Sequence, residues 1–292
     1  MVSDLKVGII PNFTRDKTYD VVLETVKNLE KFNIDYCFDL SFFGNYEKEF
    51  NSTMYTKISH SIFEESDIII AIGGDGSFIH IAKKASEYNK PVLCINAGNL
   101  AFLAGLECNE LNLLLELVKG NYLEDKRMML DVEIIYNNKV LDKFCCLNDL
   151  TVARGKEISL IDLDVFCDNK KINSYRADGV IVSTPTGSTA YSWSAGGPVI
   201  DPNLQCITLT PICTHSPLNR SLVFNENSQI TIIPSKNNDY DISISADGEK
   251  TVVVPKESQI IIKKSKNLAE FIRIKSDEFF DILNSKLTQR KF

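Results

Sequence analysis

Residues 68–80 read IIIAIGGDGSFIH. Three isoleucines run into Gly73, Gly74, Asp75, Gly76 and Ser77, and then the spacing turns helical. An apolar, β-branched run of this kind is typical of a strand buried on both faces of a parallel sheet. A glycine-rich loop between a strand and a helix offers bare backbone N–H groups, and these hold phosphate. A carboxylate in the middle of such a loop repels phosphate, so Asp75 needs its own explanation. It either caps the helix or meets a ligand at the carboxyl end of the strand, where open α/β sheets bind them.

Outward from this loop, the first third of the chain alternates strands and helices. Residues 5–11, 34–38, 67–72 and 91–96 read as strands, and 18–32, 78–88 and 110–119 as helices. That order implies a parallel sheet with covering helices. From about residue 127 the chain changes character. Strands are predicted at 130–136, 140–146, 160–167, 172–176, 179–183, 206–211, 229–233, 241–245 and 259–263. Turn signals such as Asn137-Asn138 and Asp168-Asn169 separate them. Two domains are expected: an α/β domain over 1–126 and an all-β domain over 127–274. A helix within 275–292, clearest at 279–286, is expected to pack back on the first.

The 292 residues carry a net charge of −7, with 44% hydrophobic and 24% charged. No basic surplus suggests a nucleic-acid partner. The start, MVSDLKVGIIPNF, reads as a first strand rather than a leader, and no apolar run approaches a membrane span. A cytoplasmic location with reduced thiols is expected. The eight cysteines form no C-x-x-C pair and read mostly as small buried residues. The three histidines are scattered, so no metal cluster is visible.

Five further segments could carry chemistry. Residues 96–103, NAGNLAFL, follow a strand on the same sheet edge as the glycine loop, and Phe102 either packs or faces a base. Asn148-Asp149 follow an apolar run and read as a turn or as ligand contacts. Residues 175–200, YRADGVIVSTPTGSTAYSWSAGGPVI, crowd hydroxyls around glycines and prolines. They read as a Ser/Thr-rich turn with a small-residue helix, or as a surface for a polar ligand such as a nucleotide. PICTHS at 211–216 holds Cys213 and His215, and SADGE at 245–249 reads as a hairpin turn.

Taken together, these segments resemble the NAD kinase family over roughly residues 68–249, in the family's order. The long segment is the most specific; GGDG alone also resembles phosphofructokinases and lipid kinases. The resemblance implies an α/β N-terminal domain (Rossmann-like, phosphofructokinase-like) and a β-rich, sandwich-like C-terminal domain. It implies transfer of the terminal phosphoryl group of ATP, or in some members polyphosphate, to the adenosine ribose 2′-hydroxyl of NAD. A divalent cation, usually Mg2+, assists, but no metal ligands are assigned. Homodimers or homotetramers that share the NAD site between subunits are implied as well.

By motif position, the resemblance makes Asp75 the proton acceptor. It places Gly73, Gly74, Gly76 and Ser77 on the phosphates, with Gly76 also against NAD, and Phe102 along the pocket. Asn148 and Asp149 are implied to bind the adenosine part, and Thr186, Thr189, Ala190 and Tyr191 to surround the adenine. Arg176, Asp178, Ser194 and Cys213 fall near the nicotinamide half, partly across a subunit interface. Glu249 stands where the family often has Gln. Ala101 replaces a usual glycine, and Thr214 a common proline. Another GGDG kinase gives no reason for the STPTGSTAY stretch, and intact Asp75 argues against a non-catalytic sensor.

Overall fold

The computed structural model describes residues 5–14, 17–39, 58–98, 101–156, 159–275 and 279–289. Asn99 and Leu100 of the NAGNLAFL segment lie outside them. The chain forms two compact units, one of Met1–Lys126 with Ala269–Phe292 and one of Arg127–Leu268.

In the first unit, β1 (Lys6–Pro11) leads to helix α1 (Thr18–Lys31) and β2 (Asp35–Asp39). After β3 (Ile58–Ser59) and α2 (Ile62–Glu65) come β4 (Ile68–Gly73), α3 (Asp75–Ser86), β5 (Val92–Asn96) and β6 (Leu106–Glu107). All six residues of β4 are buried, as its unbroken apolar run requires. Helix α1 buries Val21, Val22, Val26 and Leu29 on one stripe and ends before Asn33, which takes φ +54°. Asparagine tolerates that left-handed conformation better than most residues. The sheet order is β5-β4-β1-β2-β3, parallel throughout. Phe271 pairs in parallel with Val92, and this places residues 269–273 on the far side of β5. Residues 110–119 are less regular than predicted: a 3-10 turn, Leu111–Leu114, precedes α4 (Leu115–Lys119), which stops at left-handed Gly120. The C-terminal helix spans Phe279–Gln289.

The second unit begins in β7 (Leu123–Tyr136) and continues through β8 (Lys139–Cys146), β9 (Asp149–Arg154), β10 (Ile161–Cys167), β11 (Lys170–Ala177) and β12 (Gly179–Ser183). A 3-10 turn, Thr186–Thr189, and helix α5 (Tyr191–Ser194) interrupt the strands. Then come β13 (Cys206–Ile212), β14 (Leu222–Asn225), β15 (Ile230–Pro234), β16 (Ile242–Ala246), β17 (Lys250–Val254) and β18 (Gln259–Arg273).

One antiparallel sheet runs β14-β13-β12-β9-β16-β17. A second layer contains β11-β10-β15-β18, antiparallel, with the β7–β8 hairpin. One core cluster joins Leu150, Val182 and Ile244 of the first layer to Leu163, Ile232 and Ile262 of the second, a sandwich arrangement. Asn137-Asn138 and Asp168-Asn169 have positive φ at both positions, the requirement of a two-residue hairpin turn, and Asp247 and Gly248 also take positive φ in the three-residue connection between Ala246 and Lys250.

Five strands fall where none was predicted: the two-residue β3 and β6 in the first unit, and β9, β14 and β17 in the second. Leu147 and Asn148 do bend the chain, but Asp149 already begins β9. Of the eight cysteines, all free, only Cys37, Cys94 and Cys146 are buried, while Cys108 and Cys213 are exposed.

Candidate active site

In the first unit the carboxyl ends of β1, β4 and β5 are stitched together by backbone bonds. The Asn12 N–H donates to Ile72 O at 2.8 Å, and the Ala97 N–H donates to Gly73 O at 2.9 Å. Asn12 Nδ2 also donates to Ser77 Oγ at 2.6 Å, so the loop after β1 braces the glycine loop. Asp75 is the first residue of α3, not an interior loop residue, and the helix begins three residues before the predicted start at 78. A negative charge is favoured in that first turn.

The Asp75 carboxylate is oriented by two amides. The Phe102 N–H donates to Oδ2 and the Leu103 N–H to Oδ1, both at 3.0 Å. A carboxylate has about four lone-pair positions, and these two bonds fix one on each oxygen. Phe102 is half-buried, and Gly76 is exposed with open space where a Cβ would stand. From the other side, Arg273 donates to Phe102 O, Ala104 O and Asp125.

In the second unit, Asn148, Asp149, Ala190 and Tyr191 line a cavity of about 370 Å³ together with Thr151, Ser245, Asp247 and Gly248. Asp149 is 5% exposed. Burial first, and then the negative charge of Asp247, push its carboxyl up to about 7. The Thr151 hydroxyl and the Tyr191 backbone N–H act the other way. The Asn148 carbonyl accepts the Thr184 N–H at 2.9 Å. Gly187 packs so closely on it that a Cβ would stand 2.1 Å from that oxygen.

The remaining residues lie apart from this cavity wall. Thr186 accepts a bond from the buried Arg127 at 3.3 Å, and the Thr189 hydroxyl donates back to Thr186 O. Ser194 is exposed at the end of α5. Arg176, Asp178 and Cys213 gather at another corner. There the His215 N–H donates to Arg176 O, the Asp178 N–H to Ile212 O, and Arg154 pairs with Asp178 at 3.0 Å. Cys213 is exposed with φ +46°. Glu249 is exposed beyond the β16–β17 turn.

Sequence reasoning did not reach Asn12, Arg127, Thr151, Ser245 or Arg273, and it saw Asp247 only as a turn residue. Asn12 had a usable signal: it follows a strand on the same sheet edge as the glycine loop. Arg127, Asp247 and Arg273 act across long sequence separations.

The ATP-NAD kinase N-terminal domain model matches residues 7–122, and the ATP-NAD kinase C-terminal domain model matches residues 147–274. An NAD kinase of Thermoanaerobacter sp. (strain X514) is 36% identical over 286 residues, covering 98% of this chain and 99% of its own. Yeast NADH kinase, solved complexed with NADH, superposes with a TM-score of 0.86 at 22% identity, over 99% of this chain and 88% of that one. An NAD kinase from Archaeoglobus fulgidus, solved in complex with ATP, gives a TM-score of 0.73 at 24% identity, over 97% and 99%. Two matched domain models that together span most of the sequence, with a relative of this identity over nearly the whole length, place the chain in the ATP-NAD kinase family.

Proposed function

We propose that this enzyme transfers the terminal phosphoryl group of ATP to the 2′-hydroxyl of the adenosine ribose of NAD. The 2′-oxygen bonds to the γ-phosphorus, the bond to the β-phosphate oxygen breaks, and ADP and NADP+ leave. The hydroxyl proton goes to Asp75. The observation that carries this reading is the Asp75 carboxylate, aimed by the amides of Phe102 and Leu103 at the carboxyl end of β4. A positioned base contributes about 10²–10⁴-fold, and the rest of phosphoryl transfer is positioning and charge neutralisation. Backbone N–H groups at Gly73, Gly74 and Gly76, with the Ser77 hydroxyl, serve the phosphates.

The cavity in the second unit suits the uncharged adenosine part of NAD. No lysine, arginine or histidine is among its described lining residues, and two carboxylates are. Such a wall repels phosphate and accepts hydroxyl and amino donors. In this reading Asn148 and Asp149 hold the adenosine. Thr186, Thr189, Ala190 and Tyr191 surround the adenine, and Phe102, on the first unit, is a further NAD contact. Arg176, Asp178, Ser194 and Cys213 serve the nicotinamide half, partly across an interface with a second copy in a homodimer or homotetramer, and Glu249 is a further NAD contact.

Among the described residues no three His, Cys, Asp or Glu side chains cluster. Mg2+ is commonly held by one or two carboxylates together with substrate phosphates and water. In this reading Asp75 would help hold it, and bound Mg2+ would neutralise charge on the moving phosphoryl group. Among the described residues no helix is long and apolar enough to cross a membrane.

The test is NADP+ formation from NAD, ATP and Mg2+, read with a dehydrogenase that accepts only NADP+. Product that depends on Asp75 supports the reading. No product with NAD still bound would overturn it.

A further inference from the structure

Asp247 needs an explanation that its turn does not supply. The three-residue connection between Ala246 and Lys250 takes left-handed backbone at Asp247 and Gly248, with φ of +51° and +72°. An asparagine would meet that need equally well. The turn does not require the carboxylate to reach a segment far away in sequence. Yet Oδ2 accepts the Leu147 N–H at 3.0 Å, and Oδ1 accepts those of Asn148 at 2.8 Å and Asp149 at 3.1 Å. The Asp247 N–H returns a bond to Asp149 O at 2.9 Å. Three successive amides converging on one carboxylate form an anion nest, and charge-assisted bonds of this kind are strong.

The same segment is gripped from its other side. The Thr184 hydroxyl donates to Leu147 O at 2.6 Å, and the Thr184 N–H donates to Asn148 O at 2.9 Å. Both backbone groups of Asn148 are therefore fixed. Its side-chain carboxamide, by contrast, has no hydrogen-bond partner among the described residues, and it lines the cavity. A rigid backbone with an uncommitted amide turned to a cavity is how a ligand contact is preorganised.

We propose that Asp247 is a positioning residue for NAD recognition: its carboxylate holds the 147–149 segment so that Asn148 and Asp149 face the adenosine part. The proposal rests on the NAD reading given above. Its second consequence is electrostatic. The titratable side chains lining the cavity are Asp149 on β9, Tyr191 on α5 and Asp247 on the β16–β17 turn. The Asp247 charge is one reason the Asp149 carboxyl is raised, after burial. Neutralising Asp247 therefore lowers the pH at which Asp149 loses its proton.

Asp247→Asn and Asp247→Ala separate these effects. NAD affinity by calorimetry and initial rates are measured from pH 5.5 to 8.5 on protein whose melting curve shows it folded. The expected result is a dissociation constant and KM for NAD raised about tenfold in Asp247→Asn and further in Asp247→Ala. The KM for ATP is expected to change less than twofold, and kcat little. The pH midpoint of NAD binding moves lower in Asp247→Asn. NAD affinity within twofold of wild type, an equal rise in the KM for ATP, or an unmoved pH midpoint would overturn the assignment. If Asp247→Ala does not fold, Asp247→Asn carries the test. Wild-type protein that binds NAD without forming NADP+ would sink the kinase reading, while the affinity series still decides on Asp247.

Discussion

Asp75 and Arg273 grip the same residue from opposite sides: Phe102 donates its N–H to the Asp75 carboxylate and accepts a bond from the Arg273 guanidinium on its carbonyl. The segment that aims the proposed base is thus held by an ion-paired arginine, whose side chain is 14% exposed beside Asp125 at 15%. Arg273→Met keeps the stem and removes the fork. Breaking such a pair leaves Asp125 and two carbonyls without their donor, and we expect a loss of about 3 kcal/mol. Urea unfolding measures the loss directly. An unchanged midpoint would show that water replaces the guanidinium at little cost.

Asp75→Asn tests the base. The amide side chain keeps one acceptor oxygen and turns an NH2 group toward the other backbone N–H. We expect turnover to fall about 10²–10⁴-fold while NAD affinity stays within a few-fold. Near-normal NADP+ formation would remove Asp75 from the chemistry.

Gly187→Ala places a methyl group 2.1 Å from the Asn148 carbonyl oxygen and 2.5 Å from its carbon. Backbone must move on one side. Overpacking of this kind costs about 1–3 kcal/mol, and here it displaces Asn148. We predict a lower melting temperature together with weaker NAD binding. The same substitution at Gly76, where a Cβ meets nothing within 4 Å, is expected to leave stability nearly unchanged.

Asp149 gives the protein a pH signature. Its folded-state value of about 7 lies above the ordinary 3.8. Folding therefore favours the protonated form, and the stabilisation is complete below about pH 4 and is lost as pH rises toward 7. Asp149→Asn removes this contribution. The difference in stability between variant and wild type should grow in the variant's favour from pH 4 to 7 and level off above. Melting curves across that range measure it, and parallel curves would refute it.

Much of the fold is legible in the sequence because burial and turn chemistry are local. The IIIAI run specifies a doubly buried strand, and Asn137-Asn138, Asp168-Asn169 and Asp247-Gly248 each specify a hairpin. Strand β9 escaped because Asn148 and Asp149 look like turn residues. Asp149 is paired into the sheet opposite Ser183 and buried beside Asp247, a tertiary arrangement that outweighs its poor strand preference. Strand β17 escaped because Val253 is 63% exposed on an edge, so its pattern lacks a clear inner face. The motif residues proposed for the site could be named from sequence, but their fastenings could not. The bonds from Asp247 to residues 147–149 and from Arg273 to Phe102 join positions far apart in the chain.

The strand at residues 269–273 completes the first unit's sheet beside β5, yet it follows the whole of the second unit in the chain. During synthesis, on the order of ten seconds separates the two. Through that interval the newborn first unit already holds its glycine loop, while β5 lacks its Phe271 neighbour and Phe102 lacks its arginine. A ribosome stalled before residue 269 would leave a chain with every proposed catalytic residue in place and the β5 edge unpaired at Val92, covered only at Ile95 and Asn96 by β6, a species for chaperones and proteases rather than an enzyme.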